Sequence, residues 1–131
     1  MVKTYGLTHI ALKVKDPVRS SLFYQKIFGA KEMYKQDDFI QVQTPNSRDI
    51  IVFEKGNPIF GKTENIVHFG FRLESPNDIE QAIHEVTEAG GKIKAHGEFV
   101  PGEPYLFFYD PDGYEIEVWY EKIPASLNSF H

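Results

Sequence analysis

A chain of 131 residues with 41% hydrophobic and 15% aromatic content is long enough for one domain with a real core, and too apolar for intrinsic disorder. A net charge of −5 with no Lys/Arg cluster argues against nucleic acid as a partner, and no apolar run is long enough to cross a bilayer. Zero cysteines exclude disulfides, thiolate ligands and a cysteine nucleophile; with no signal-like N-terminus, a cytoplasmic protein is expected.

In chain order, the first predicted strand lies in GLTHIALKVKDP (6–17). Asp16-Pro17 then reads as an N-cap with proline at the first helical position, and Val18, Leu22, Phe23 and Ile27 are the expected apolar stripe of a helix ending at Gly29. Three strands follow, in KEMYK (31–35), FIQVQT (39–44) and DIIVFE (49–54), before a Gly/Pro-containing linker.

The second half repeats the first. In NIVHFGFRLESP (65–76), His68, Arg72 and Pro76 fall on His9, Lys13 and Pro17 at an offset of 59. Ser75-Pro76 is the expected helix start, Ile79, Ala82, Ile83 and Val86 form an i, i+3, i+4, i+7 stripe, and Gly90-Gly91 closes the helix. Strands are expected in KIKA (92–95), YLFFYD (105–110) and EIEVWYE (115–121), with the hairpin turn Asp110-Pro111-Asp112-Gly113 before the last. HGEFVPGEP, with His96, reads as a loop. His84 falls on the surface of the second helix and His131 in a loosely ordered tail. The chain is thus expected to be α+β, with two βαβββ modules in a single domain: about 5–55, a linker 56–64, about 65–121, and a tail 122–131.

Strand alternation gives three strands one apolar face each, suited to covering by the helices, and a second face that carries one metal-ligand type: His9, His68, and Glu117 or Glu115. Two imidazoles and a carboxylate suit a divalent first-row metal with open positions for water or substrate. A lone strand histidine is commonly structural, but two at equivalent repeat positions are poorly explained by chance. Lys13 and Arg72 lie on the same face, as anchors for an anionic group or as solvated strand-end cations. Trp119, Tyr105, Phe107 and Tyr109 line a pocket or belong to the core.

LTHIALKVKDP, VHFGFRLES and FFYDPDGYEIEVW together resemble the vicinal oxygen chelate superfamily over about residues 5–121. The resemblance implies an open, U-shaped mixed β-barrel around a metal-binding cleft, with the helices outside. It implies His9, His68 and Glu117 as ligands of one divalent ion (Fe, Mn, Ni or Zn), with Glu115 left to solvent. Aligning Pro45 with Pro111 sets Ile51 opposite Glu117, and an isoleucine cannot ligate. Glu54, three residues on, is then expected on the opposite face unless a bulge intervenes. This departure disfavours glyoxalase I and the epimerases, and Ala11 departs from the hydroxyl residue of fosfomycin-type transferases. What the resemblance implies is a metal-dependent enzyme on a small oxygen-rich molecule, with Glu117 catalytic, Lys13, Arg72 and Trp119 binding substrate, and the protein a homodimer. Its competitor is a drug-sequestering protein of the bleomycin-resistance type.

Overall fold

The computed structural model describes residues 1–60, 62 and 66–122. Part of the expected linker and, beyond Lys122, the tail with His131 lie outside the described residues. The chain divides into two compact units, Met1–Pro58 and Ile59–His131. No described helix is long and apolar enough to cross a membrane.

The first unit runs β1 (Ile10–Val14), α1 (Pro17–Phe28), β2 (Lys31–Lys35), β3 (Phe39–Gln43) and β4 (Ile51–Lys55). The second runs β5 (Phe69–Arg72), α2 (Asp78–Glu88), β6 (Lys92–Val100), β7 (Glu103–Tyr109) and β8 (Glu115–Trp119). Each forms a four-stranded mixed sheet of the same topology, β1-β4-β3-β2 and β5-β8-β7-β6. In both, the first strand pairs parallel with the last and the other pairs are antiparallel. The repeated βαβββ organisation expected from the sequence is present.

The helix-covered faces are apolar as expected. Leu12, Val14, Ile40, Val42, Ile51 and Phe53 are buried in the first unit, and Leu106, Phe108, Ile116 and Val118 with Val86 in the second. At about 25 cal/mol per Å² of apolar surface removed from water, these layers supply the main driving force for each unit. The stripe of α1 differs from expectation. Of the expected residues Phe23 is buried but Val18 and Leu22 are exposed, and the helix also buries Pro17, Ser20, Ser21 and Tyr24. Two small serines let the helix approach the sheet closely, and Tyr24 fills the space against Phe53 with ring centroids 4.9 Å apart.

Asp16 caps α1 as expected, its carboxylate accepting from the amides of Val18 and Arg19, and Gly29 closes the helix with φ 65°. The second helix starts later than expected. Ser75-Pro76-Asn77 is a turn in which the Asp78 amide bonds the Ser75 carbonyl, and Asn77, not Ser75, is the cap residue.

HGEFVPGEP is not a loop. Its first half extends β6 through Val100, and a short turn at Pro101-Gly102 returns the chain as β7, so that His96 is an exposed strand residue. Glu98 pairs with Pro104 and Val100 with Glu103 across the closed hairpin, Phe99 sitting at the irregularity between them, and this pairing overrides the local glycine and proline signals. The turn before β8 is built as its sequence suggests. Asp110 is buried and its Oδ1 accepts from the amides of Asp112 and Tyr114, while Gly113 has φ 90°. That turn fixes where β8 begins, and hence where its two glutamates point.

Candidate metal centre on the exposed sheet faces

Each unit has a second sheet face that its described helix does not cover, and the expected functional residues are on it. In the second unit β5 and β8 run parallel with Gly70 beside Glu117 and Arg72 beside Trp119, and β7 places Phe107 beside Glu117 and Tyr109 beside Glu115. Residues paired in register share a face, so Glu115, Glu117, Trp119, Tyr105, Phe107 and Tyr109 lie together opposite the core. The aromatics of β7 therefore belong to this face. The core aromatic is Phe108.

His68 directly precedes β5, and its ring stands between the two glutamates. Its Nδ1 is 3.8 Å from Glu115 Oε2 and its Nε2 is 3.9 Å from Glu117 Oε1. Phe107 meets the imidazole edge-on, ring centroids 5.2 Å apart. Both carboxylates are largely covered, with side chains 14% and 15% exposed against 36% for His68. Space for Glu117 comes from Gly70, where a Cβ would approach the Glu117 Oε1 and Cβ to 3.4 Å and its carbonyl oxygen to 3.2 Å. A glycine inside a strand commonly marks such a close approach.

The two glutamates are not equivalent. Glu115 was expected to be solvated, but it is half-buried and its Oε1 is 2.6 Å from Lys94 Nζ. Lys94 sits at a β-bulge, where the register of β6 against β7 shifts between Ile93 and Ala95. A bulge re-aims a side chain, and here the lysine meets Glu115 across the sheet. That partner holds the Lys94 ammonium above its ordinary pKa. Among the described residues no lysine or arginine pairs with Glu117 in this way. Burial pushes its carboxyl above the usual range, opposed by the nearby His68 and reinforced by the charge of Glu115. Among the described residues, the covered glutamate that lacks a full counter-charge is Glu117.

In the first unit, pairing of β1 with β4 sets Ala11 beside Val52 and Lys13 beside Glu54. His9, one residue before β1, lines a depression of about 430 Å³ with Ala11, Gln41, Val52 and Glu54. Its Nδ1 is 2.6 Å from Thr8 Oγ1, which leaves Nε2 as the nitrogen available to a ligand. The residue equivalent to Glu117 is Val52, not Ile51. Ala11 faces Val52 as Gly70 faces Glu117, and Ile51 is buried on the helix side. The reason is one extra residue in the β3–β4 connection: Gln41 to its partner Val52 spans 11 positions (52 − 41), and Phe107 to Glu117 spans 10 (117 − 107). With the register corrected, Glu54 shares the face of His9 without any bulge.

Of the expected site residues, the structure brings His68 and Glu117 together, and His9 lies in the other unit. Among the described residues no three His, Cys, Asp or Glu side chains form a group able to hold a metal. The pair nonetheless fits one. Two ligands of one ion, each about 2.1 Å from it, stand roughly 3 to 3.5 Å apart, close to the 3.9 Å observed. Lys13 is exposed on the His9 face, its stem over Gly56. Arg72 forms an exposed ion pair with Glu121 at 3.7 Å. Trp119 is half-buried under Phe99, ring centroids 5.8 Å apart, and its Nε1 is buried without a hydrogen-bond partner among the described residues. Thr8, Lys94 and Phe99 were not singled out by sequence. Only Gly70, a strand glycine, carried a local signal.

The profile described as "Glyoxalase/Bleomycin resistance protein/Dioxygenase superfamily" matches residues 6–118. The fosfomycin resistance protein FosX of Listeria monocytogenes is 28% identical over 132 residues, 96% of this chain and 97% of that protein. A lactoylglutathione lyase of Escherichia coli O157:H7 is 28% identical over 125 residues, 88% of this chain and 93% of the lyase. A crystal structure of the Listeria FosX complexed with Mn(II) and sulfate superposes with TM-score 0.78 at 25% identity, covering 98% of this chain and all of that one.

Proposed function

The chain belongs to the glyoxalase/bleomycin resistance protein/dioxygenase superfamily, and from that premise we propose that it is a divalent-metal-dependent enzyme acting on a small molecule with an anionic oxygen group. His68, Glu117 and His9 would hold the ion, and the protein would act as a homodimer. The observation that carries this reading is the pairing of His68 Nε2 with the largely covered Glu117 carboxylate at 3.9 Å.

When bound, the metal supplies a Lewis acid that stabilises negative charge on a substrate oxygen. The chain's own residues do the rest. Burial drives the Glu117 carboxyl toward its protonated form, so a cation placed beside it relieves an unfavourable charge rather than competing with an existing partner. Thr8 holds the His9 ring through Nδ1. Val52 offers no ligand at the fourth position, so substrate and water have room there. Lys13, Arg72 and Trp119 would meet the substrate. An exposed ion pair such as Arg72–Glu121 is worth roughly 0–1 kcal/mol, so the guanidinium is released to an anionic group at small cost.

Similarity to FosX, whose structure was obtained in complex with Mn(II) and sulfate, supports an anionic substrate of the fosfomycin kind. Similarity to a lactoylglutathione lyase supports a thioester-forming alternative within the same metal chemistry. The test is turnover of fosfomycin, followed by phosphorus NMR with added Mn(II), beside turnover of a methylglyoxal–thiol adduct. Metal-dependent turnover that chelator abolishes is expected. A second reading, sequestration of a flat ligand without chemistry, draws on the stack of Phe99 on Tyr105 (centroids 4.1 Å, planes 16° apart). Tight binding indifferent to chelator, with no turnover, would establish that reading instead.

A further inference from the structure

Why does β8 carry two glutamates on one face? The preceding geometry gives Glu117 to the ion and leaves Glu115 without a stated task. Resting on the metal reading above, we infer that Glu115, anchored by Lys94, is a positioning residue that fixes the ring orientation and tautomer of His68.

Three observations converge. The His68 ring lies between two carboxylates at nearly equal distance, Nδ1 toward Glu115 and Nε2 toward Glu117. A neutral imidazole donates from one nitrogen and accepts, or ligates, at the other, and the carboxylate that receives the N–H decides which. The symmetry is broken by Lys94. Its ammonium bonds Glu115 Oε1 at 2.6 Å, fixing that side chain, and leaves Oε2 turned to Nδ1. Glu115 therefore receives the Nδ1 proton, and the Nε2 lone pair is left facing Glu117. At 3.8 Å the Nδ1–Glu115 approach is longer than a hydrogen bond, so a small ring rotation completes it when Nε2 is pulled toward an ion. Carboxylate partners of metal-binding histidines act in this way, and their loss commonly weakens metal binding about 10- to 100-fold.

The bulge at Lys94 fits the same role. Regular pairing of β6 would leave no extra residue between Ile93 and Ala95 to reach Glu115. Phe107, edge-on to the imidazole, limits the rotation that would exchange the two nitrogens.

The test uses nitrogen-15 NMR of His68 in the whole, metal-free chain at alkaline pH, together with Mn(II) affinity by calorimetry. Wild type is expected to carry its proton on Nδ1, the tautomer that free histidine disfavours. Glu115→Met should return His68 to Nε2–H and weaken Mn(II) binding 10- to 100-fold. Glu115→Gln, which keeps an acceptor, should fall between. A melting transition like that of wild type in each variant confirms that the fold is intact. Unchanged tautomer and unchanged affinity in Glu115→Met would overturn the inference. If wild type binds no metal, the enzymatic reading fails separately, and the tautomer of the metal-free protein still decides the role of Glu115.

Discussion

Val52 holds in the first unit the place that Glu117 holds in the second. Each stands in register with a small residue of the parallel neighbouring strand, Ala11 and Gly70 respectively. The repeat thus duplicates the backbone and not the chemistry, with a carboxylate kept in one copy and an apolar side chain in the other.

Val52→Glu should restore the missing carboxylate. Burying it costs stability in the metal-free protein, about 1–3 kcal/mol for an unpaired polar group. Metal should return that cost, so the rise in Tm on adding Mn(II) is expected to be larger than for wild type. An equal rise in both proteins would show that position 52 does not face the ion.

Gly70→Ala probes the cradle around Glu117. Alanine removes the conformational cost of a strand glycine, about 0.5–1 kcal/mol, but its Cβ presses on the Glu117 backbone at 3.2 Å and on its side chain at 3.4 Å. Stability should change by no more than about 1 kcal/mol while metal affinity falls on the order of tenfold, the lower end for disturbing a ligand's support. Urea melts and calorimetry on the same sample separate the two effects.

The two aromatic layers should respond differently. Phe108→Ala empties a fully buried site on the helix side and is expected to cost about 3–5 kcal/mol. Phe99 is 52% exposed, and Phe99→Ala should cost under about 1 kcal/mol yet weaken substrate binding, because its ring stacks on Tyr105 and covers Trp119. Chemical denaturation and KM measure each. A large stability loss in Phe99→Ala would place that ring in the core instead.

In chelator, Glu117 should make the metal-free protein less stable as pH rises. Its folded pKa is raised by burial, so the stability associated with its protonated form is present below the unfolded pKa and lost as pH climbs through the folded one. Glu117→Gln, which cannot ionise, should therefore melt higher than wild type at neutral pH in chelator, with the gap closing in acid. A gap independent of pH would assign the effect to packing.

Much of this molecule is legible in its sequence because the chain states its plan twice. The equivalence of His9 and His68, the two βαβββ units and the Asp110-Pro111-Asp112-Gly113 turn all follow from local pattern and a repeat offset. What was missed depends on register. One extra residue between Gln41 and Val52 moved the assignment from Val52 to Ile51, and only the hydrogen-bonded ladder reveals it. The Lys94–Glu115 pair spans 21 residues and needs a bulge, which no local pattern announces. The α1 stripe held at Phe23 but not at Val18 and Leu22, for a chemical reason: Ser20 and Ser21 are polar by type but small enough to be buried where the helix meets the sheet.

Titration of the metal-free protein with Mn(II), read by calorimetry for wild type and Glu117→Gln side by side, tests the central claim most directly. Binding of one ion per site in wild type, weakened at least 100-fold in the folded variant, is the predicted result. No binding by wild type, or equal binding by both proteins, would contradict it.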